Sequence, residues 1–350
     1  MKEIITGSDF SGVGSFDQAL ERLGIKQNKL FACDMDKYAR QTYVYNFGEP
    51  YYYPENVYNR EIPEQSLDIY MTSPPCQSFS LAGKREGENS DKGVLFYNSH
   101  EFIQKNKPRY FIFENVKGLL SDDSGKTFQR WIDYLSGKSV NGNPVIFPHE
   151  NSATYHVYYQ VMNAKHYGIP QNRERIFIIG IRDDSDNNFS FPKPMHLEKR
   201  LKDVLENQVD KKYFLSDKMI LALINHQKFN KFNPSFGENE ASCITSRIHK
   251  MGNADNYIKV GYINQDTQAS QVFSEDGTSP NICAGTHGYA NGYVKINKQK
   301  IRRLTPTECF RLMDFNENFK WNVSDSQAYK QAGNSIVVSC LVEIIKKLNL

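Results

Sequence analysis

Cys76 and Glu114 carry the sharpest chemistry in this sequence. Cys76 closes the run Ser73-Pro74-Pro75-Cys76, which follows the apolar stretch 66–72, and the two prolines stiffen the backbone ahead of the thiol. Glu114 closes another apolar stretch, 110–113, and is followed by Asn115. Cysteine attacks as the thiolate, and a carboxylic acid facing the same crevice fits a covalent mechanism with acid assistance. A buried structural cysteine beside a helix-capping glutamate would use the same residues. A third group is Gln171-Asn172-Arg173-Glu174-Arg175. Arginines at i and i+2 share one face of an extended chain, where one can donate a fork of hydrogen bonds to a carbonyl; surface arginines in ion pairs fit that spacing too.

A glycine turn, Ser11-Gly12-Val13-Gly14-Ser15, follows a first strand at 4–6. Gly-x-Gly lets the backbone approach a ligand at a helix N-terminus. The third position of the dinucleotide fingerprint is Asp17, a carboxylate unwelcome beside a pyrophosphate, so the fingerprint is broken. Asp34 lies about 20 residues past Gly14, where an acid can grip ribose hydroxyls. A nucleoside cofactor without phosphates suits both facts, and an ordinary tight turn is the alternative.

These residues need a scaffold that brings strand ends together. Phe16, Ala19, Leu20 and Leu23 make a helix face that stops at Gly24, 30–33 is a second strand ending at Asp34, and 175–181 is a late strand. The alternation predicts an α/β domain with a doubly wound, mostly parallel, Rossmann-like sheet, whose ligands sit beyond the carboxyl ends of the strands. From about residue 188 the rhythm is lost. Phe191-Pro192-Lys193-Pro194 reads as a linker, and the next hundred or so residues are rich in Asn, Gly, Ser and Gln with short β-like stretches. Helical patterning returns at 305–313. It returns again at the C-terminus, where Ile336, Val337, Cys340, Leu341, Ile344 and Ile345 form an apolar face. The expected division is a catalytic domain at 1–187 plus 326–350, a smaller β-rich domain at 188–300, and a connection at 301–325.

The 350 residues are 39% hydrophobic and 24% charged, and 43 Lys+Arg against 40 Asp+Glu leave a formal charge of +3. A nucleic-acid substrate is compatible with that balance but must be met by local charge. The six cysteines contain no C-x-x-C, which argues against a zinc site or a disulfide framework. No secretory signal and no apolar run of about 18 residues is present, so a reducing, cytoplasmic location without membrane association is expected.

In order along the chain these pieces resemble the DNA cytosine-5 methyltransferase family of the bacterial restriction-modification type. The likeness runs through Phe10-Ser11-Gly12-Val13-Gly14, Asp34-Met35-Asp36-Lys37-Tyr38-Ala39, Pro75-Cys76-Gln77-Ser78-Phe79-Ser80 and Glu114-Asn115-Val116-Lys117. It continues through Tyr167-Gly168-Ile169-Pro170-Gln171-Asn172-Arg173-Glu174-Arg175, Arg303-Leu304-Thr305-Pro306-Thr307-Glu308 and Ala328-Tyr329-Lys330-Gln331-Ala332-Gly333-Asn334-Ser335. The resemblance implies a cytosine flipped out of duplex DNA, attack of Cys76 on C6, and methylation of C5 from S-adenosylmethionine. Glu114 would hold a proton on N3 and contact the exocyclic amine, while Arg175 with Arg173 would bond O2. The cofactor would contact Phe10, Gly12, Gly14, Asp34, Met35, Asn56, Val57 and Pro75, with Asn334 and Ser335 closing the site. The segment 80–92 would close over the base, with Ser80, Lys84 and Asn115 as contacts.

The 188–300 region would then recognise the target. Gln268 aligns with a position where some relatives fill the hole left by the flipped base, and Gln271, Thr286 and His287 are further candidates for DNA contact. Arg302, in a basic run with Lys298, Lys300 and Arg303, suits phosphates. Double-stranded DNA is the expected partner of a monomer, with a cognate restriction endonuclease acting independently. The chain departs from the family pattern at Ser8, where the usual acid appears one residue late as Asp9. It also departs at Asp34 in place of a glutamate, at Asn56, and at Asn281-Ile282 where many members carry Thr-Leu. Rival readings are the same reaction on tRNA, disfavoured by the long polar insert, and a non-catalytic DNA-binding relative, disfavoured by the retained Cys76, Glu114, Arg173, Arg175 and Asn334.

Overall fold

The computed structural model describes residues 3–74, 95–182, 188–214, 216, 259–262, 271–276, 278–279, 281–282, 293–297 and 300–350. Pro75, Cys76, Ser80 and Lys84, with the rest of the segment 80–92, lie outside the described residues, as do Gln268, Thr286, His287 and Lys298.

The larger sheet runs in the order β2-β1-β3-β4-β8-β7-β5-β6. β1 (Ile4–Asp9), β2 (Gln27–Cys33), β3 (Ile69–Thr72) and β4 (Tyr110–Val116) are mutually parallel. Beyond β4 the character changes. β7 (His156–Asn163) and β8 (Glu174–Ile181) are joined by a single 3-10 turn at Ala164–Tyr167, too short for a crossover, so β8 runs antiparallel to both β7 and β4. β5 (Ser139–Val140) and β6 (Asn143–Pro144) form an edge hairpin about Asn141-Gly142, both at positive φ. The sheet is therefore parallel where the glycine turn leaves it and antiparallel where the arginine strand enters.

Helices cover both faces, as a doubly wound sheet requires. α1 (Ser15–Arg22) and the C-terminal α7 (Val338–Ile345) pack on one face, where Phe16, Leu20, Ile112, Ile179, Leu341 and Ile345 share one core. α3 (Leu95–Asn106) and α4 (Lys126–Leu135) cover the other, with Phe96 stacked on Trp131 at 4.3 Å between centroids. α2 (Lys37–Phe47) starts at Asp36, whose carboxylate accepts from the backbone N–H groups of Tyr38 and Ala39.

Among the described residues the second sheet has four strands, in the order β12-β11-β10-β9: β9 (Lys259–Tyr262), β10 (Gln271–Ser274), β11 (Tyr293–Asn297) and β12 (Lys300–Arg303). It therefore runs past the boundary expected at residue 300. α5 (Pro306–Leu312) follows, opened by a reciprocal capping box between Thr305 and Glu308 with proline in its first turn. α6 (Asp325–Asn334) returns to the first domain, burying Ala328, Tyr329 and Ala332 in the α1–α7 core. Gln331 fastens it to α2, accepting from the Thr42 hydroxyl at 3.0 Å and donating to the Tyr38 carbonyl at 2.8 Å.

Candidate active site

The parallel registers put Asp9 beside Thr72 and Thr72 beside Phe113. The glycine turn after β1, the Ser73-Pro74 segment after β3 and Glu114 on β4 therefore leave one edge of the sheet together. β1 has its β2 neighbour on one side and β3 on the other, so this edge is also a switch point in strand order, where open α/β sheets bind ligands.

At the first of these, Phe10 and Gly12 both adopt positive φ, 57° and 56°, and Gly14 at 90° opens α1. A Cβ placed on Gly12 would meet nothing within 4 Å, so the turn is open at Gly12, whereas one on Gly14 would strike the Phe47 ring. The Gly12 N–H donates to Asp34 Oδ2 and the Asp36 N–H to Asp34 Oδ1, each at 2.8 Å. These bonds fix the Asp34 carboxylate against the turn while each oxygen keeps a further lone pair. Burial pushes the Asp34 carboxyl above its ordinary range, opposed by those two N–H groups. Next to it Met35 is 82% exposed, a large apolar side chain presented to solvent. An oriented carboxylate, an open glycine turn and a bare thioether side chain fit the ribose and adenine of a nucleoside cofactor. Val57 is buried in the α3–α4 core, whereas Asn56 is exposed and accepts from the Tyr58 N–H at 3.0 Å, a local turn.

Asp9 does not stand in for the acid missing at Ser8. Neighbouring residues of a strand face opposite sides, and Asp9 points into the α3–α4 face. There it pairs with Arg60 Nε at 2.8 Å and accepts from the Tyr70 hydroxyl at 2.6 Å. The Arg60 guanidinium lies 4.5 Å from the Phe102 ring centroid. Arg60 escaped the sequence reading because it sits in a polar stretch, Asn59-Arg60-Glu61, with no periodicity to mark it as buried.

At the second place, β8 runs beside β4 so that Val116 opposes Arg175 and Glu114 opposes Phe177. Opposed residues share a face, which lets Arg175 Nε reach Glu114 Oε1 at 3.1 Å. Glu114 is 7% exposed, and burial raises its carboxyl above the ordinary 4.5, with the Arg175 and then Arg173 charges opposing. A carboxyl raised by desolvation holds its proton at higher pH, the property a proton donor needs. The adjacent Asn115 faces the other way. It is buried, and its amide nitrogen lies 3.4 Å from the Pro74 carbonyl, so it secures the chain two residues ahead of Cys76 and does not reach out to DNA.

Arg173 departs from expectation. Its Nη1 donates to Asn281 Oδ1 at 2.8 Å and the Ile282 carbonyl at 2.7 Å; its Nη2 donates to the carbonyls of Gly333 at 3.0 Å and Ser335 at 2.7 Å. Both terminal nitrogens are spent on the protein, so Arg173 has none to offer a ligand, whereas among the described residues Arg175 spends only Nη1, on the Glu174 carbonyl at 2.8 Å. Gln171 behaves alike, donating to the Leu312 carbonyl at 2.6 Å and accepting from the Ile282 N–H at 3.0 Å. The alternation read for Arg173 and Arg175 extends back to Gln171 and could have placed it on the same face, but not what that face would meet. Asn334 is exposed at the end of α6, and Ser335 is buried with its hydroxyl on the Gln331 carbonyl.

Arg302 is corrected outright as a phosphate contact. It is 2% exposed, with Nη1 and Nη2 on the two Glu308 oxygens at 2.7 and 2.6 Å. Burial with a matched carboxylate removes it from solvent and from any backbone phosphate. Gln271 begins β10.

A family model described as C-5 cytosine-specific DNA methylase matches residues 6–349. The chain is 32% identical over 340 residues to the Type II methyltransferase M.HhaI of Haemophilus parahaemolyticus, covering 95% of this chain and 90% of the relative. It is 33% identical over 354 residues to the Type II methyltransferase M.SsoII of Shigella sonnei, covering 97% and 78%. Among solved structures, a Dnmt2 methyltransferase of S. pombe superposes with a TM-score of 0.63 at 16% identity, covering 98% and 97%. An E. coli putative DNA modification methyltransferase encoded within a prophage gives 0.65 at 17% identity, covering 99% of both chains. At those identities the structural likeness speaks for the fold alone.

Proposed function

The chain belongs to the C-5 cytosine-specific DNA methylase family and is a DNA cytosine-5 methyltransferase, and from that premise we propose that Cys76, Glu114 and Arg175 are its working groups. The observation that carries the assignment is the buried Glu114, its carboxyl raised and paired with half-buried Arg175, at the sheet edge toward which the chain before Cys76 is tied. Cytosine C5 is a weak nucleophile. Addition of the Cys76 thiolate to C6 forms an S–C bond and moves the C5–C6 π electrons onto C5. Glu114 holds the proton on N3 that keeps the adduct neutral. Arg175, held by Glu114 at Nε and by the Glu174 carbonyl at Nη1 (2.8 Å), directs Nη2 at O2. Once C5 has bonded the methyl group and the donor's S–CH3 bond has broken, C5 releases its proton to water, those electrons re-form the C5–C6 double bond, the S–C6 bond breaks, and the thiolate and aromatic ring are restored.

Family membership implies methylation dependent on S-adenosylmethionine. Asp34, Gly12, Phe10 and Met35 would hold it, and when bound it supplies an electrophilic methyl group. Asn334, Ser335 and Pro75 complete the proposed cofactor set. The small sheet and its flanks are assigned to target recognition, with a base outside the stack because no side chain reaches C6 inside a duplex. The Type II names of the relatives support pairing with an independently acting endonuclease.

The decisive experiment is transfer of labelled methyl from S-adenosylmethionine to mixed-sequence duplex DNA, with Cys76→Ser alongside and the modified bases mapped by conversion sequencing. Label at C5 within one short motif is expected, with turnover in the variant lower by a factor on the order of 10⁴ to 10⁶. Wild-type turnover in Cys76→Ser, or label on RNA and none on DNA, would overturn the assignment.

A further inference from the structure

We infer that Arg173 is a two-armed positioning residue that fixes the recognition segment and the cofactor-side C-terminal segment to the strand carrying Arg175. The inference rests on the assignment of Glu114 and Arg175 as the pair that meets the base. One arm is Nη1, on the Asn281 side chain and the Ile282 carbonyl. The other is Nη2, on the carbonyls of Gly333 and Ser335, which flank Asn334. Backbone bonding reinforces the first arm. The Asn172 N–H donates to the Ser279 carbonyl at 2.9 Å and the Ser279 N–H to the Pro170 carbonyl at 2.7 Å, a parallel β-bridge between Ser279 and Gln171. Gln171 then locks the register by accepting from the Ile282 N–H.

This wiring gives the departure at Asn281-Ile282 a use. The side-chain oxygen Oδ1 of Asn281 accepts a charge-assisted bond from Arg173. Recognition and chemistry therefore meet two residues apart, Arg173 holding the incoming segment and Arg175 holding Glu114. A displacement of Asn281 and Ile282 is transmitted toward β8 through the planar, five-donor guanidinium of Arg173, and a shift of about 1 Å at reacting atoms costs about 100-fold in rate.

The test compares Arg173→Lys with Asn281→Ala, both checked by thermal melting so that rates are expressed per folded molecule. Lysine keeps the charge but cannot span both arms; alanine removes one acceptor of the first arm alone. Arg173→Lys is expected to weaken S-adenosylmethionine binding, measured by titration without turnover, and to lower kcat by about 100-fold. Asn281→Ala is expected to leave cofactor binding unchanged while lowering kcat and loosening discrimination against near-cognate DNA. If both variants merely melt earlier, with wild-type cofactor affinity and wild-type kcat per folded molecule, the two-armed role is wrong. Cofactor binding also separates the two ideas: an inactive wild type would sink the assigned function, while the Arg173→Lys effect on cofactor titration would still decide the tie.

Discussion

Two carboxylate–guanidinium pairs, Glu114–Arg175 at the edge of the large sheet and Glu308–Arg302 at the root of the small one, are made of the same side chains and serve opposite ends. Glu308 is saturated: both Arg302 terminal nitrogens and the N–H groups of Thr305 and Glu206 converge on its two oxygens at 2.6–2.8 Å. Glu114 meets Arg175 at the longer distance of 3.1 Å, and its carboxyl is raised by burial. The difference teaches that pairing alone does not mark a site. A carboxylate whose lone pairs are all taken is scaffold; one left short of donors in a dry place keeps its proton and can use it.

Breaking the saturated pair should give the largest effect. Arg302→Met leaves a buried, uncompensated carboxylate and is expected to destabilise the fold by about 3–5 kcal/mol in urea unfolding. The double variant Arg302→Met/Glu308→Leu should regain part of that and stop short of the wild type. It leaves the Thr305 and Glu206 N–H groups without their acceptor, at about 1–3 kcal/mol each if no water reaches them. Full recovery in the double variant would mean that the saturation of Glu308 contributes nothing.

The unsaturated pair should respond in rate and not in stability. Glu114→Gln keeps the shape and a donor but cannot exchange a proton, and kcat should fall by about 10²- to 10⁴-fold with the melting temperature at or above that of the wild type. A variant that loses stability along with rate would place Glu114 in the scaffold class.

The smallest effect sharpens the contrast through pH. A folded-state carboxyl raised above its unfolded value contributes stability that is complete below about 4.5 and is lost as pH climbs through the raised value. Wild type should therefore lose stability relative to Glu114→Gln over that interval, by at most about 1.4 kcal/mol per pH unit, before the difference levels off. Parallel stability curves across the interval would show that the folded protein leaves Glu114 unshifted.

Much of this was legible in the sequence because strands that end at a functional residue announce themselves. The runs 4–6, 30–33, 66–72, 110–113 and 175–181 each fall on a strand, β1, β2, β3, β4 and β8, although β1 extends to Asp9, β2 starts at Gln27, β3 starts only at Ile69 and β4 continues through Glu114 to Val116. β7 was missed because His156–Asn163 mixes aromatic, amide and aliphatic residues and is buried on both sides of a half-exposed middle, so neither alternation nor a continuous apolar run stands out. Arg302 was misread for a related reason. A basic run gives the sign of the charge but not the direction of each side chain, and its buried partner lies six residues on, across the turn from β12 into α5. Period-2 alternation could have warned that Arg302 and Arg303 cannot both face outward. The partners of Arg173 had no local signature, since Asn281 and Gly333 lie more than a hundred residues away.

The offset of the first acid from Ser8 to Asp9 has a consequence for anyone recombining this chain with its relatives. One residue along a strand is half a turn of the ribbon, so the Asp9 carboxylate lies on the opposite side of the sheet from Ser8, in the company of Arg60 and Tyr70. The glycine turn is thus not a portable cassette. Grafted alone into a host that lacks an arginine over the ring of Phe102, residues 4–14 would carry an orphan charge into the host's interior, and the transplant would travel only as a set drawn from three separate stretches of chain.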